Sequence, residues 1–244
     1  MAEAGPPVAV LVALLAAWQL TTALLGVPAV ILPSPSEVAA AFVALLPTLL
    51  ADAAVTAATA GLGLAAGVLA GLALAFGMVG SRSFESLAAP YVVALRIAPL
   101  VAIAPLLFLW IGRGVPARAL LVATMTVFPV TIASVGGLRA VPSEYADLAA
   151  SVGASPLRTF LWVRVPAAAP SVFAGVKLAA ALSVIGAVVA EFVALDAGLG
   201  YRVFVTSANL QTARSFAALA ALAALGLGFY GAPALVERRL ERSR

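Results

Sequence analysis

Apolar stretches with few charged residues recur along the chain and alternate with short segments that contain charged residues or prolines. A membrane-spanning helix needs about 20 predominantly apolar residues. Six segments reach this length with at most two charged side chains each, namely residues 8–27, 53–80, 90–112, 118–138, 167–194 and 214–236. The pattern predicts an all-α integral membrane protein with six transmembrane helices, in which residues 1–244 form a single transmembrane domain.

The composition agrees with a chain that is solvated mainly by lipid. Of the 244 residues, 64% are hydrophobic and 10% are charged, and the mean hydropathy is +1.15. A typical soluble domain has about 45–50% apolar and about 25% charged residues. Because such a small number of polar groups could not cover the surface of a water-soluble protein, the composition excludes an ordinary soluble domain.

The residue types that the sequence lacks exclude several kinds of catalytic site. There is no cysteine and no histidine, so a thiolate nucleophile, a Ser-His-Asp triad and a zinc-protease helix cannot be built. The single lysine, Lys177, is followed by Leu178 and preceded by Val176. A phosphate-binding P-loop has glycine before this lysine and serine or threonine after it. We therefore expect no catalytic residue, no metal and no cofactor in this chain.

The arginines between the predicted spans are distributed unequally between the two sides of the membrane. With the N-terminus inside, the side that holds both termini carries eight arginines and the opposite side carries four. Because basic residues are enriched in cytoplasmic loops, the asymmetry predicts that both termini are cytoplasmic. The net charge of +4 comes largely from these scattered arginines and does not indicate a nucleic-acid partner.

Three glycines recur at four-residue spacing in the second predicted span: Gly63, Gly67 and Gly71. Small residues at this spacing allow two helices in a membrane to approach closely. The stripe predicts either a packing face within the helix bundle or a hinge that moves during gating. Packing is the favoured interpretation.

The longest loop between predicted spans, residues 142–166, has the pattern of two short helices on the predicted cytoplasmic side. The first is predicted over about 143–152, with Ser143 as its N-cap and Gly153 as a left-handed C-terminal cap. Apolar residues at i, i+3, i+4 and i+7 give this helix one apolar face, formed by Tyr145, Leu148, Ala149 and Val152.

The second predicted helix of the loop begins with Ser155 as its N-cap and Pro156 at its first position, and it ends before Pro166. Two explanations fit this pair of short helices. In the first, the loop presents a surface to another protein; in the second, it lies flat on the membrane with Arg158 and Arg164 on anionic lipid. The residue pattern alone leaves both explanations open.

The loop contains an ordered set of residues at fixed spacing: Asp147, Leu148, Ala149, Gly153, Val163, Val165 and Pro166. This set resembles the motif of binding-protein-dependent ABC importer permeases, which reads Glu-Ala-Ala, three residues, Gly, nine residues, Ile-x-Leu-Pro. The spacing is the same throughout. The main departure is Leu148, which stands where the family has alanine.

Further segments, in the same order, are similar to the nitrate/sulfonate/taurine branch of this family. They comprise Leu32–Val38 before a short external helix, Leu95–Leu100, Pro105–Leu106, Leu109–Gly112, Ala190–Glu191 and Gly198–Tyr201. The resemblance covers about residues 30–244. It implies the type I ABC importer permease fold, in which the loop enters a groove of a separate ATPase subunit as a coupling helix.

The resemblance also implies partners, a role for the loop and a class of solute. The partners are the ABC ATPase subunits, an external solute-binding protein, a second permease copy in a homodimer, and membrane lipid. The solute is a small anion such as nitrate, a sulfonate or taurine, and the alternative is a thiamine-pyrimidine or flavin precursor. An ion-coupled carrier is a further alternative that needs no such loop. The loop residues assigned to ATPase coupling are Glu144, Asp147, Ala149, Gly153, Arg158 and Pro166.

Three charged residues lie inside the predicted spans: Arg96, Lys177 and Glu191. An isolated charge at the centre of a bilayer costs about 2.5–3.5 kcal/mol, so each should face the bundle interior or a partner. We predict that Arg96, before a kink at Pro99, and Lys177 attract an anionic solute in the translocation path, and that Glu191 contributes to an outer gate. The alternative is a buried pairing with another charge or with backbone carbonyls.

Overall fold

The computed structural model describes residues 5–97 and 100–242. Within these ranges the chain is helical and contains no strand, which confirms the predicted all-α class. The helices are α1 Gly5–Leu25, α2 Pro35–Ala44, α3 Leu46–Gly80, α4 Arg82–Ile97, α5 Leu100–Ile111, α6 Val115–Arg139, α7 Ser143–Ser151, α8 Pro156–Thr159, α9 Val165–Ala194, α10 Leu199–Ala208 and α11 Thr212–Arg242, with a π-helical turn at Phe160–Arg164.

Five of the described helices are long and apolar enough to cross a membrane: α1, α3, α6, α9 and α11. These correspond to five of the six predicted spans. Helix α3 begins at Leu46, seven residues before the predicted start, and therefore includes Asp52. Helix α11 extends to Arg242, beyond the predicted end at residue 236. Its last turns are polar, so the apolar pattern that defined the predicted span ends before the helix does.

The third predicted span, residues 90–112, corresponds to a bent pair of helices that counts as a sixth span if the pair is taken as one. The structure has two helices here, α4 and α5, whose axes differ by 104°. Helix α4 begins at Arg82 and includes Pro90, and α5 includes Pro105. An apolar run shows that a segment suits lipid but not how far its axis turns, so the pattern could not give the angle of the bend. The predicted kink at Pro99 lies outside the described residues.

Helices α3, α6 and α9 form the centre of the bundle, and α6 is more buried than any other described span. The glycine stripe of α3 faces α6. A Cβ atom on Gly63, Gly67 or Gly71 would overlap side chains of α6, and the Thr131 hydroxyl donates to the Gly71 carbonyl at 3.3 Å. The stripe is therefore a packing face, in which missing side chains let two backbones come close.

The two ends of the bundle differ in the elements they carry, and an ion pair and a ring contact mark one of them. At one end, Arg139 at the end of α6 pairs with Glu85 of α4, with 2.6 Å between Nη2 and Oε2. The ring of Phe160 meets Phe76 edge to face at the same end, with 5.5 Å between centroids. This end, which carries α7 and α8, is called the loop end below. The opposite end, where α10 lies between α9 and α11, is called the α10 end.

The loop between α6 and α9 contains the two predicted short helices, with two corrections. Pro142, not Ser143, is the N-cap of α7. The second helix does not end before Pro166, because a π-helical turn joins α8 directly to α9 and the Val165 N–H bonds to the Phe160 carbonyl. A π turn widens the backbone, which accommodates a proline in the following turn.

The predicted caps at Gly153 and Ser155 are present. Gly153 has φ +79°, and its N–H bonds to the Ala150 carbonyl while the Ala154 N–H bonds to the Ala149 carbonyl, both at 2.9 Å. This pair of bonds is a Schellman motif, which requires a left-handed residue after the helix. The Ser155 hydroxyl accepts from the Arg158 N–H at 3.4 Å.

The short helix α2 has a complete capping box at its N-terminus. The Glu37 N–H donates to the Ser34 hydroxyl, and the Ser34 N–H donates to the Glu37 carboxylate at 2.7 Å. The hydrogen bond from the Ser34 backbone holds the pKa of Glu37 below its ordinary value. The cap fixes where α2 starts after the loop that follows α1.

Candidate translocation site and coupling loop

A cavity of about 630 Å³ lies between α4, α6 and α9. Its walls are mainly apolar, and Arg96 brings the one charged side chain among its described lining residues. The Arg96 guanidinium lies over the ring of Phe128, with 5.0 Å from Cζ to the ring centroid. The other residues that line the cavity are Leu95, Thr124, Met125, Pro129, Ile132, Ala133, Ala174, Gly175, Leu178 and Leu182.

The chemistry of this cavity suits an anion with an apolar body. The Arg96 guanidinium offers planar donors and a positive charge, and Phe128 orients it by a cation–π contact. No aspartate or glutamate is among the described lining residues, so the positive charge is not neutralised within the cavity. The apolar walls add area for hydrophobic contact with the rest of a bound molecule.

Of the three charged residues predicted inside the spans, Arg96 lines this cavity and the other two lie elsewhere. Lys177 forms an ion pair with Glu237 of α11, with 2.8 Å between Nζ and Oε2. Both side chains are largely buried, at 25% and 16% exposure. In this arrangement Lys177 is partnered as the pairing alternative describes, although the partner is neither Glu191 nor a carbonyl.

A charge swap distinguishes a structural pair from a solute-binding lysine. Lys177→Glu alone should lower folded protein and uptake, because it places two carboxylates together in a site with little water. The double variant Lys177→Glu/Glu237→Lys restores the pair, so we expect it to recover folded protein and uptake. Folded protein is measured as the amount of detergent-stable complex, and uptake is measured in vesicles. Recovery of folded protein without uptake would favour a solute-binding role for Lys177.

Glu191 lies at the α10 end, where it is fully buried. Its Oε2 accepts a hydrogen bond from the Gly200 N–H at 2.8 Å. Two ion pairs lie at the same end. Arg202 Nε is 2.7 Å from Asp52 Oδ2, and Arg118 Nη1 is 3.3 Å from Asp196 Oδ1.

The four residues of these two ion pairs were not predicted as site residues: Asp52, Arg118, Asp196 and Arg202. The sequence places each beside the end of an apolar segment, where a charge is ordinarily solvated. Arg118 is nevertheless only 4% exposed. A charged residue within the first turn of an otherwise apolar helix is the one sequence signal that could have indicated burial. In the described part of the chain, no three acidic, histidine or cysteine side chains come together as metal ligands.

The loop between α6 and α9, residues 140–164, is called the coupling loop after the role that the resemblance implies, and it presents the apolar face of α7 to the outside of the molecule. Three of the four predicted face residues are exposed, with Tyr145 at 56%, Leu148 at 65% and Val152 at 79%. The polar residues Glu144 and Asp147 are exposed as well. Trp162 in the π-helical turn adds a ring that is 80% exposed. An apolar patch of this kind in a loop marks a contact surface.

A second cavity, of about 560 Å³, lies between this loop and the loop end of α3. Phe76 and Gly80 of α3 line one side, and Ala154, Phe160 and Arg164 line the other. The loop is thus joined to the bundle by the Phe76–Phe160 contact and by the continuous helix into α9, with space beside it. A displacement of the loop would be passed to α9 through that helix.

Comparison with known proteins places this geometry in a family. Residues 63–242 match the model of the family described as binding-protein-dependent transport system inner membrane component. The riboflavin transport system permease protein RibX of Chloroflexus aurantiacus is 37% identical over 240 residues, which cover 98% of this chain and 89% of the relative. The aliphatic sulfonates transport permease protein SsuC of Escherichia coli K12 is 33% identical over 217 residues, covering 88% and 82%.

The fold matches as well. A crystal structure of an amino acid ABC transporter with histidines superposes with a TM-score of 0.67 and 19% identity, covering 81% of this chain and 96% of that one. This likeness confirms the predicted type I permease fold. The family match covers the loop, the Arg96 cavity and, at the α10 end, Glu191 and α10 but not Asp52. The chain is a multi-pass membrane protein that belongs to the family of binding-protein-dependent inner membrane components, the permease subunits of ABC importers.

Proposed function

We propose that this chain, acting as one transmembrane domain over residues 1–244, forms the translocation path for a small organic anion. The observation that carries the proposal is the cavity in which the Arg96 guanidinium lies over Phe128 within apolar walls. A single unneutralised cation in an apolar cavity attracts an anion and leaves room for a hydrophobic body. A sulfonate such as the solute named for the Escherichia coli relative fits this description.

A second candidate solute is a flavin or a thiamine-pyrimidine precursor. The relative from Chloroflexus aurantiacus is named for riboflavin, and a relative from Halalkalibacterium halodurans is named for formylaminopyrimidine. The ring of Phe128 beside Arg96 supports this candidate, because aromatic and guanidinium planes both stack on heteroaromatic rings. Under this candidate Phe128 matters more than the charge of Arg96.

The energy for transport comes, in this proposal, from ABC ATPase subunits that bind the coupling loop. The exposed apolar face of α7, with Leu148 and Val152, supports a protein partner. The acidic residues Glu144 and Asp147 and the basic Arg158 are exposed on the same loop and add charged groups to this surface. Gly153 fixes the corner after α7, and Pro166 lies where the loop becomes α9. Ala149 contributes its carbonyl to the Schellman motif.

The remaining parts of the proposed complex follow from the two ends of the bundle. An external solute-binding protein binds at the α10 end, and a second copy of the chain in a homodimer covers the exposed side of the Arg96 cavity. The chain lies in the cell membrane with lipid around α1, whose apolar side chains are largely exposed, and against the exposed side chains Leu219, Leu227 and Leu235 of α11. The loop end and both termini are cytoplasmic, which agrees with the excess of arginines there.

Replacing Arg96 by glutamine tests the solute proposal directly. We expect uptake of a sulfonate to fall about tenfold at low solute concentration, because a charge-assisted hydrogen bond contributes roughly 1.5–3 kcal/mol. The measurement is ATP-driven uptake of taurine, butanesulfonate and riboflavin into proteoliposomes that contain the permease with its co-purified ATPase and binding protein. Arg239→Gln, at an exposed arginine in the last turns of α11, is the matched control.

The same assay with Phe128→Leu separates the two candidates. Loss of riboflavin uptake in Phe128→Leu, with Arg96→Gln unaffected, would support the heteroaromatic solute. Unchanged uptake of every solute in both variants would exclude the cavity as the path. If the chain purified without an ATPase and transported solute under an ion gradient, an ion-coupled carrier would replace the importer.

A further inference from the structure

The first two backbone N–H groups of α10 are bonded to side chains of other helices. The Leu199 N–H donates to the Thr56 hydroxyl of α3 at 2.9 Å, and the Gly200 N–H donates to Glu191 Oε2 of α9 at 2.8 Å. The first N–H groups of a helix have no partner within it. Because the helix dipole makes this end electropositive, a carboxylate is a favourable acceptor there. Glu191 is therefore a cap supplied by a different helix.

The two glycines at the start of α10 make space for this carboxyl group. The three atoms nearest to a Cβ on Gly198 would all belong to the Glu191 carboxyl group, and they would overlap it. Gly198 also has φ +107°, which side chains rarely adopt. A Cβ on Gly200 would lie 2.9 Å from Glu191 Oε2 and from the Val188 carbonyl. Glu191 and the Gly-Leu-Gly segment therefore fit together as one unit.

Further polar contacts anchor the rest of α10. The Arg202–Asp52 ion pair joins its second turn to α3, and the Thr206 and Ser215 hydroxyls are 2.7 Å apart between α10 and α11. Glu191 does not line the cavity that contains Arg96 and is completely buried. Its position suits fixing a helix better than meeting a solute.

We propose that Glu191 is a positioning residue whose carboxylate caps α10 and holds this helix against α9 and α3. Transport requires the acceptor oxygen of this side chain and not a charge that meets the solute. The inference rests on the proposed function, since it assigns a role in keeping the α10 end of the permease assembled. It replaces a direct gating role for Glu191 with a structural one.

Two substitutions at this position separate the acceptor from the charge. Glu191→Gln keeps an oxygen that accepts from the Gly200 N–H, so we expect uptake within about twofold of the parent chain. Glu191→Leu leaves that N–H buried without an acceptor, so we expect uptake to fall at least about tenfold. Ser183→Ala removes a different buried polar group of α9, a hydroxyl. It is the matched control and should retain uptake.

A single introduced cysteine reports on α10 without any need for transport. The chain has no cysteine of its own, and Val203 packs against the apolar cluster around Leu49 and Leu199. With Val203→Cys as the background, Glu191→Leu should speed maleimide labelling about tenfold, whereas Glu191→Gln should not change it. Because labelling needs neither solute nor ATP, it keeps this proposal separate from the proposed function.

A double-mutant cycle covers the case in which Glu191→Leu fails to fold. Gly198→Ala should strongly lower the thermal stability of the purified chain, because the new methyl group overlaps the carboxyl group. In a Glu191→Ala background the same change should cost much less, since the overlapping atoms are gone. Equal costs in both backgrounds would overturn the proposal. Equal damage by Glu191→Gln and Glu191→Leu, or unchanged labelling in Glu191→Leu, would overturn it as well.

Discussion

Replacing Gly153 by valine is expected to stop ATP-driven uptake while the chain remains folded in the membrane. Gly153 is exposed and no atom lies within 4 Å of a Cβ built on it, so the cost is not steric crowding. The cost comes from its φ of +79°, which costs a β-branched residue about 1–2 kcal/mol or more. The Schellman corner should open, and α7 should lose its fixed direction relative to α8.

The measurement compares uptake with solute-stimulated ATP hydrolysis in the reconstituted complex. In Gly153→Val we expect at least about a tenfold loss of uptake, with basal hydrolysis retained by the ATPase subunits. Gly153→Asn is the conservative control, because asparagine tolerates the left-handed region. Ala150→Val, in the last turn of α7, places the same valine side chain nearby without the strain. Equal uptake in all three variants would show that the corner does not transmit motion.

Replacing Gly67 by leucine is expected to have the largest effect on stability. A Cβ at this position would overlap the Thr126 side chain and lie 3.1 Å from the Ala123 carbonyl. Because α3 and α6 pack at the centre of the bundle, neither can move away without breaking other contacts. Overpacking in a core typically costs about 1–3 kcal/mol and occasionally more. Thermal denaturation in detergent, followed by size-exclusion chromatography, measures the loss.

Gly80→Leu is the matched control for this experiment. It lies on the same helix, and a Cβ there has open space, so its melting temperature should stay close to that of the parent chain. The double variant Gly67→Ala/Thr126→Gly should recover part of the stability lost in Gly67→Ala, since the overlapping Thr126 side chain is removed. A melting temperature of Gly67→Leu equal to that of Gly80→Leu would show that α3 and α6 are not closely packed.

The straight spans and the bent span differ in how well the sequence predicted them. The spans at 118–138 and 167–194 match α6 and α9 within a few residues, because a continuous apolar run in lipid has no better conformation than a helix. A kink at Pro99 was predicted in the third span, but the size of the bend between α4 and α5, 104°, was not. The direction of a helix axis is set by packing with its neighbours, which an apolar run does not encode.

The charged residues inside the spans show the same difference between what the sequence predicted and what packing decided. The sequence singled out Arg96, Lys177 and Glu191, since a charge in an apolar span needs a reason. It did not supply their partners. Glu237 is sixty residues from Lys177, and Gly200 meets Glu191 through a turn that the apolar pattern does not show. Contacts between distant segments depend on which helix faces are opposed.

The sequence by itself determined the membrane environment, the family and the corner of the coupling loop. Composition, motif spacing and the local bonds around Gly153 act over a few residues and need no knowledge of distant neighbours. The tertiary structure alone decided that Arg96 lines a cavity with Phe128, that Lys177 pairs with Glu237, and that Glu191 caps α10. The physical reason is that a buried charge is stabilised by whichever groups the packed helices bring within hydrogen-bond distance.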